Sequence, residues 1–284
     1  MTGRKLLKRQ KLRNNEYYDM QSVFDELYEN SLAKCEFKNL ISIITAEENI
    51  RLAYRNLKKN AGSRTPGTDG KTIADLAKMS EPELIGFVQQ KFNWYQPQSV
   101  RRKEIPNGNG KTRPLGIPTI MDRLIQQCVL QVMEPICEAK FCETSNGFRP
   151  NRGVENALAQ AEKHMQKSNL HIVIDIDIKG FFDNVNHGKL LRQIWTMGIH
   201  DKKLLSIISA MLKAEVAGIG FPEKGTPQGG ILSPLLSNIV LNELDWWITS
   251  QWVGMPTRHE YSGKIHENGT KDQSKSIGSS EKPI

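Results

Sequence analysis

The sequence predicts an α+β fold, mostly helical with one β-hairpin, and three observations carry it. Apolar residues recur at helical spacing along most of the chain. A single positive-φ turn signature, Asn107-Gly108-Asn109-Gly110, sits between two extended runs. One stretch, His171–Ile178 (HIVIDIDI), alternates β-branched with polar residues as a strand does.

Taken in order, residues 16–60 predict two helices, with Phe24, Leu27, Tyr28 and Leu32 on one stripe and Ile50, Tyr54 and Leu57 on the other. Ala61–Gly70 (AGSRTPGTDG) is a loop by composition, and 81–93 returns to helical spacing. Pro97–Pro118 reads as the hairpin, one strand ending near Ile105 and the other leading to Leu115. Residues 120–141 give the strongest helix pattern, an unbroken stripe from Met121 to Met133 that Pro135 is expected to bend or break. A polar turn at Ser145–Gly153 precedes a helix over 154–167 and then the strand. Helices follow near 187–197 and 201–214, a Gly/Pro-rich turn at 225–234, and an apolar helix at Ser237–Ile248. After Gly254, Leu, Val, Phe and Trp vanish, so 249–284 is expected to be a disordered tail, unable to bury enough surface to offset ordering entropy.

The 284 residues suffice for one large domain or two small ones. No run of 18 apolar residues is present and no apolar stretch follows the N-terminus, which argues against a membrane span and a secretory signal. The four cysteines have no Cys-x-x-Cys spacing, and three lie in or near an apolar helical pattern. Buried free thiols in a reducing cytoplasm fit that usage better than a zinc site. The net charge is +8, which points to a polyanionic partner, most commonly nucleic acid. The first thirteen residues carry Arg4, Lys5, Lys8, Arg9, Lys11 and Arg13 and no acid, a pattern open to two readings: a solvated arm, or an arm that tracks phosphates.

Two strings carry the chemistry. In Ile172–His187 (IVIDIDIKGFFDNVNH), Asp175 and Asp177 project to one face if the run is a strand. Carboxylate oxygens at a strand end are what Mg²⁺ accepts. Asp-x-Asp also occurs in glycosyltransferases, in phosphatases and at ordinary solvated strand ends. In Gly225–Asn238 (GTPQGGILSPLLSN), adjacent glycines let the backbone approach a ligand closely, and Ser233-Pro234 opens a helix.

Three blocks in this order resemble the reverse transcriptases encoded by group II introns: Arg101–Arg123 (RRKEIPNGNGKTRPLGIPTIMDR) with Gly147–Arg152 (GFRPNR), then DIDIKGFFDNVNH, then GTPQGGILSPLLSNIVLNELD. In the related retron-type enzymes the Gln-Gly-Gly is replaced. The resemblance spans roughly 45–248 and implies a right-hand polymerase fold: a basic N-terminal extension over 1–44, mostly helical fingers with a β-hairpin over 45–170, and a partial palm over 171–248. It implies that Asp177 is the first metal-binding carboxylate, with the Ile178 carbonyl a second Mg²⁺ ligand and Asp175 in a structural or outer role. Phe182 would lie under the incoming sugar and exclude a 2′-hydroxyl. Gln228 would lie against the incoming nucleotide. Arg113, and more loosely Lys111 and Arg102, would grip the triphosphate. The implied partners are intron RNA, template RNA, primer DNA and deoxynucleoside triphosphates.

The chain departs from the family pattern in two places. Asn107 stands where a Lys usually follows Ile-Pro, with Lys111 nearby to replace it. The Tyr-Ala-Asp-Asp turn that supplies the remaining carboxylates is not found in the sequence, which has no Asp-Asp pair. The expectation is a truncated RNA-directed DNA polymerase without that turn, the thumb or the maturase domain. The other readings are a non-catalytic module that binds intron RNA and assists splicing, or a decayed remnant.

Overall fold

The computed structural model describes residues 10–107, 110–167, 172–227 and 229–253. In chain order the elements are α1 (Gln10–Tyr17), α2 (Gln21–Leu32), α3 (Leu40–Ile44), α4 (Glu47–Lys59), α5 (Ile73–Leu76), α6 (Glu81–Asn93), β1 (Arg101–Asn107), β2 (Lys111–Ile117), α7 (Ile120–Glu138), α8 (Val154–Glu162), α9 (Phe181–Asn184), α10 (His187–Thr196), α11 (Lys202–Leu212) and α12 (Ser233–Ile248). They fall into two compact units, Met1–Lys140 with Gly180–Ile239, and Phe141–Lys179 with Val240–Ile284.

The first unit is built around α7. Thr119 caps it through the Asp122 N–H, and Leu124, Ile125, Cys128, Val129, Val132, Met133, Ile136 and Cys137 are all fully buried. Burial pushes the Cys128 and Cys137 thiols up, so both stay protonated and inert. Pro135 sits in the last turn, and the helix continues to Glu138: buried neighbours on both sides of the proline override the expected break. Helices α2 and α4 pack against α7, contributing Phe24 and Leu27, and Ile50, Leu52, Ala53 and Leu57. The N-terminal region forms four helices rather than two. Asp19 and Lys34 adopt positive φ (55° and 61°) and cut the helical run at positions where no Gly or Pro marks a stop.

A buried amide pair locks α4 to α7. Asn49 Nδ2 donates to Ile44 O (2.8 Å) and Cys128 O (3.1 Å), and Asn49 Oδ1 accepts from Gln131 Nε2 (2.8 Å). Asn49→Ala strands these partners in the core and is expected to lower stability by about 3 kcal/mol. Urea denaturation checks this, and a loss below about 0.5 kcal/mol would contradict the role given to the pair.

Strands β1 and β2 pair antiparallel, from Arg101 opposite Ile117 to Asn107 opposite Lys111, with Gly110 at φ +72° in the turn. This is the hairpin that the Asn-Gly-Asn-Gly string predicts, extended two residues past Ile105, and it is the only ladder of two named strands among the described residues. Helix α6 matches its predicted span. Pro82 lies in its first turn, and the Glu83 carboxylate accepts from the Ser80 N–H (2.8 Å). Helix α12 starts at Ser233, four residues before the apolar run.

In the second unit, Arg149 holds the turn after α7. Its Nη1 donates to Cys142 O (2.7 Å) and Ser145 O (2.9 Å), and its guanidinium lies 5.3 Å from the Phe141 ring centroid. Helix α8 buries no residue, and Val154 and Leu158 are exposed. Residues 172–178 are not a strand, contrary to the sequence expectation. They have no regular structure, and Ile172, Val173, Ile174 and Ile176 are 76–86% exposed. A β-branched alternation stabilises a strand only when a neighbouring strand completes the ladder and covers one face. The expected disordered tail lies, apart from residues 249–253, outside the described residues. Residues 249–253 form a short π-helical turn that continues α12. No described helix is long and apolar enough to cross a membrane.

Candidate active site

The strings DNVNH and GTPQGG are joined by main-chain bonds in the first unit. Gly180, at φ +61°, turns the chain into α9, and Asn186 caps α10 by accepting from the Lys189 N–H (2.8 Å). Alongside, the Thr226 N–H donates to Phe182 O and the Gly225 N–H to Val185 O, each at 2.7 Å. His187 Nε2 lies 2.7 Å from Gly225 O, and Lys224 Nζ donates to Asn184 Oδ1 (2.8 Å). Gly225 sits at φ +94°, and a Cβ there would fall 3.0 Å from Phe182 O, so only glycine allows the approach.

The same loop is pressed against the hairpin. Gly229 is at φ +108°, and a Cβ on it would lie 2.5 Å from Gly116 O. Helix α7 steadies the far side: Gln126 Oε1 accepts from the Ile231 N–H (2.8 Å), and Ser233 Oγ donates to Pro227 O (2.7 Å). A cavity of about 260 Å³ lies where the three strings meet, lined by Arg102, Leu115, Asp183, Lys224, Gly225 and Thr226, among others. Its rim carries a guanidinium, an ammonium and a carboxylate beside backbone and apolar side chains.

The predicted site residues are distributed unevenly. Arg102 lines the cavity, with its Nε on Glu104 Oε1 (2.7 Å). Lys111 and Arg113 stand on β2 opposite Asn107 and Ile105, out of phase in the register with Arg102, which faces Gly116. Phe182 is half-buried in α9, its ring edge-on to Phe181 with centroids 5.5 Å apart. Gln228 lies outside the described residues, between Pro227 and Gly229. Asp177 and Ile178 belong to the second unit, on the exposed 172–178 segment with Asp175. Of the basic arm, Arg4, Lys5, Lys8 and Arg9 lie outside the described residues. Lys11, on α1, forms an ion pair with Glu134 of α7, and Arg13 is exposed.

The resemblance assigns Mg²⁺ two oxygen donors, the Asp177 carboxylate and the Ile178 carbonyl. They are right in kind for a hard cation, but a near-octahedral ion needs about six oxygens and a two-ion site needs carboxylates from more than one segment. These two residues by themselves do not make up such a site. Sequence reasoning missed Gln126 and His187, which hold the Gly-rich loop. Nothing in the apolar stripe of α7 marks Gln126, whereas His187 stands within one of the matched strings.

Comparison with known proteins identifies the family. The family model described as "Reverse transcriptase (RNA-dependent DNA polymerase)" matches residues 103–266, more than half of the chain. The chain belongs to the reverse transcriptase family, and its fold is that of a right-hand polymerase with mostly helical fingers. Its likeness is to group II intron-encoded members. It is 37% identical over 240 residues to the group II intron-encoded protein LtrA of Lactococcus lactis subsp. cremoris, covering 80% of this chain and 38% of that protein. It is 34% identical over 231 residues to protein YkfC of Escherichia coli K12, covering 78% of this chain and 60% of that one. The putative COX1/OXI3 intron 1 protein of Saccharomyces cerevisiae is 29% identical, with 80% of this chain and 26% of the relative covered. The chain thus spans from about a quarter to three fifths of these relatives' lengths.

Proposed function

We propose that this chain carries the nucleotide-binding part of a group II intron RNA-directed DNA polymerase, with residues 45–170 as fingers and 171–248 as part of the palm. The observation that supports this reading best is the joining of the hairpin, the FFDN turn and the GTPQGG loop around one cavity, by contacts that only glycine permits. In this reading Arg113 and Lys111 take the triphosphate of a deoxynucleotide, Gln228 lies against that nucleotide, and the ring of Phe182 occupies the space of a ribose 2′-oxygen. The fixed loop supplies orientation, which accounts for most of what a polymerase asks of its protein. Asp177 and Ile178 would contribute part of the oxygen shell of a Mg²⁺ ion completed by carboxylates from elsewhere, and such an ion would supply charge stabilisation for phosphoryl transfer. Template RNA and primer DNA are the substrates, and the cytoplasm the compartment. A second reading, splicing assistance through binding of intron RNA, is favoured by the net charge of +8 and the basic arm.

Phe182→Ala tests the first reading in a chimera that supplies the rest of the palm. Thr226 is bound by the Phe182 carbonyl, not its ring, so the substitution leaves the loop in place. Ribonucleotide incorporation should rise about tenfold, equivalent to about 1.4 kcal/mol of lost exclusion, with a modest loss of DNA synthesis. A variant that discriminates as well as the parent would remove Phe182 from the site.

A further inference from the structure

Outside the matched strings, a second surface of the first unit joins two turns far apart in sequence. The Phe37 N–H donates to Gly198 O and the His200 N–H to Phe37 O, both at 2.8 Å, tying the turn before α3 to the turn between α10 and α11. Gly198, at φ +91°, makes this possible, since a Cβ there would lie 3.0 Å from Cys35 O. The acids of this surface are already engaged. Asp201 Oδ2 accepts from the Leu40 and Ile41 N–H groups (2.8 and 3.2 Å), and its Oδ1 caps α11 through the Leu204 N–H (3.0 Å). Lys38 Nζ (2.8 Å) and His200 Nδ1 (3.2 Å) flank the Glu36 carboxylate and hold it below the usual carboxylate range.

Three lysines, one of them paired with Glu36, stand against two carboxylates around an aromatic ring. Lys202 and Lys203 are exposed at the start of α11, and the Lys38 side chain is 72% exposed. Trp195 keeps 38% of its surface exposed while one face stacks on the His200 ring, with centroids 4.1 Å apart and 18° between planes. His200 is itself held, its Nε2 3.1 Å from Trp195 O. The indole is therefore fixed in orientation at the edge of an open hollow rimmed by three lysines.

We propose that this hollow binds single-stranded RNA, one base stacking on Trp195 and the adjoining phosphates lying against Lys38, Lys202 and Lys203. Ammonium groups alone would attract any polyanion, and a lone exposed indole any apolar group. A fixed ring beside several cations matches a strand with unstacked bases, because a duplex hides its base faces. The choice of RNA over DNA rests on the RNA-dependent chemistry of the family.

The test is fluorescence anisotropy with a labelled oligouridine of about twelve residues, titrated across a salt series in EDTA without nucleotide. With no divalent ion or triphosphate present, the outcome is independent of the polymerase reading. Trp195→Ala is expected to weaken binding about tenfold, and Trp195→Phe, which keeps a ring, should retain most of the affinity and separate stacking from a folding defect. Replacing Lys38, Lys202 and Lys203 together by Gln should reduce the log–log salt slope by about 2, from about 0.7 per phosphate. Parental affinity and slope in Trp195→Ala and the triple variant would overturn the proposal. Tighter binding of an oligodeoxythymidine of equal length would overturn the assignment to RNA. Duplex RNA bound as well as oligouridine, and equally by Trp195→Ala, would overturn stacking.

Discussion

Residues 1–284 alone are expected to leave a DNA primer on an RNA template at its starting length. Two features lead to this. As proposed ligands, Asp177 and the Ile178 carbonyl would supply only part of the oxygen shell that two divalent ions require. The segment that carries them is also unsupported, with Ile172, Val173, Ile174 and Ile176 exposed and no ladder to fix its backbone. A carboxylate on such a segment cannot be held within the few tenths of an ångström that catalysis demands. The same segment belongs to no ladder and exposes apolar β-branched side chains, a template for intermolecular pairing. The amides of 172–178 should therefore exchange with solvent at nearly unprotected rates, while those of α7 are protected. Slow exchange through 172–178 in the isolated chain would show that the strand is formed and supported after all.

Gly229→Ala is expected to be the most damaging single methyl addition in the first unit. Its Cβ would sit 2.5 Å from Gly116 O, a backbone atom in the ladder, at a φ of +108° that side chains avoid. Neither partner can easily retreat: Gly116 is paired with Arg102, and the loop is anchored by Ile231 on Gln126 and by Ser233 on Pro227. A stability loss of about 2–4 kcal/mol follows, or else displacement of the loop from the hairpin. Gly218→Ala is the control. Gly218 also has positive φ (+79°) but nothing within 4 Å of its Cβ position, so only the conformational penalty of about 1 kcal/mol applies. Equal denaturation midpoints for the two variants would mean that the loop–hairpin contact is not a constraint.

Much of the fold was legible in the sequence because its signals are local. Helix α6 follows from Ser80, Pro82 and Glu83 at its start, the hairpin from Asn-Gly-Asn-Gly, and α7 from a stripe that only a buried helix satisfies. The misreadings came where structure depends on something non-local. The 172–178 run has a strand's pattern, but a strand is a property of a pair. The breaks at Asp19 and Lys34 are positive-φ turns at residues that do not announce them. The candidate site divides in the same way. The strings that compose it can be read off directly, but what joins them is main-chain: Thr226 to the Phe182 carbonyl, and Gly229 against the Gly116 carbonyl. Such contacts leave no side-chain trace except the glycines that permit them. Gln126, a helical amide that reaches Ile231, leaves none at all.

The most direct measurement of the central claim is primer extension on an RNA template by three proteins: the 284-residue chain, a chimera in which it is fused to the segment that follows the matched region in the Lactococcus lactis relative, and the same chimera carrying Asp177→Ala. The account predicts extension by the chimera only, falling to background with Asp177→Ala. Extension by the 284-residue chain alone, or by the Asp177→Ala chimera at the parental rate, would contradict it.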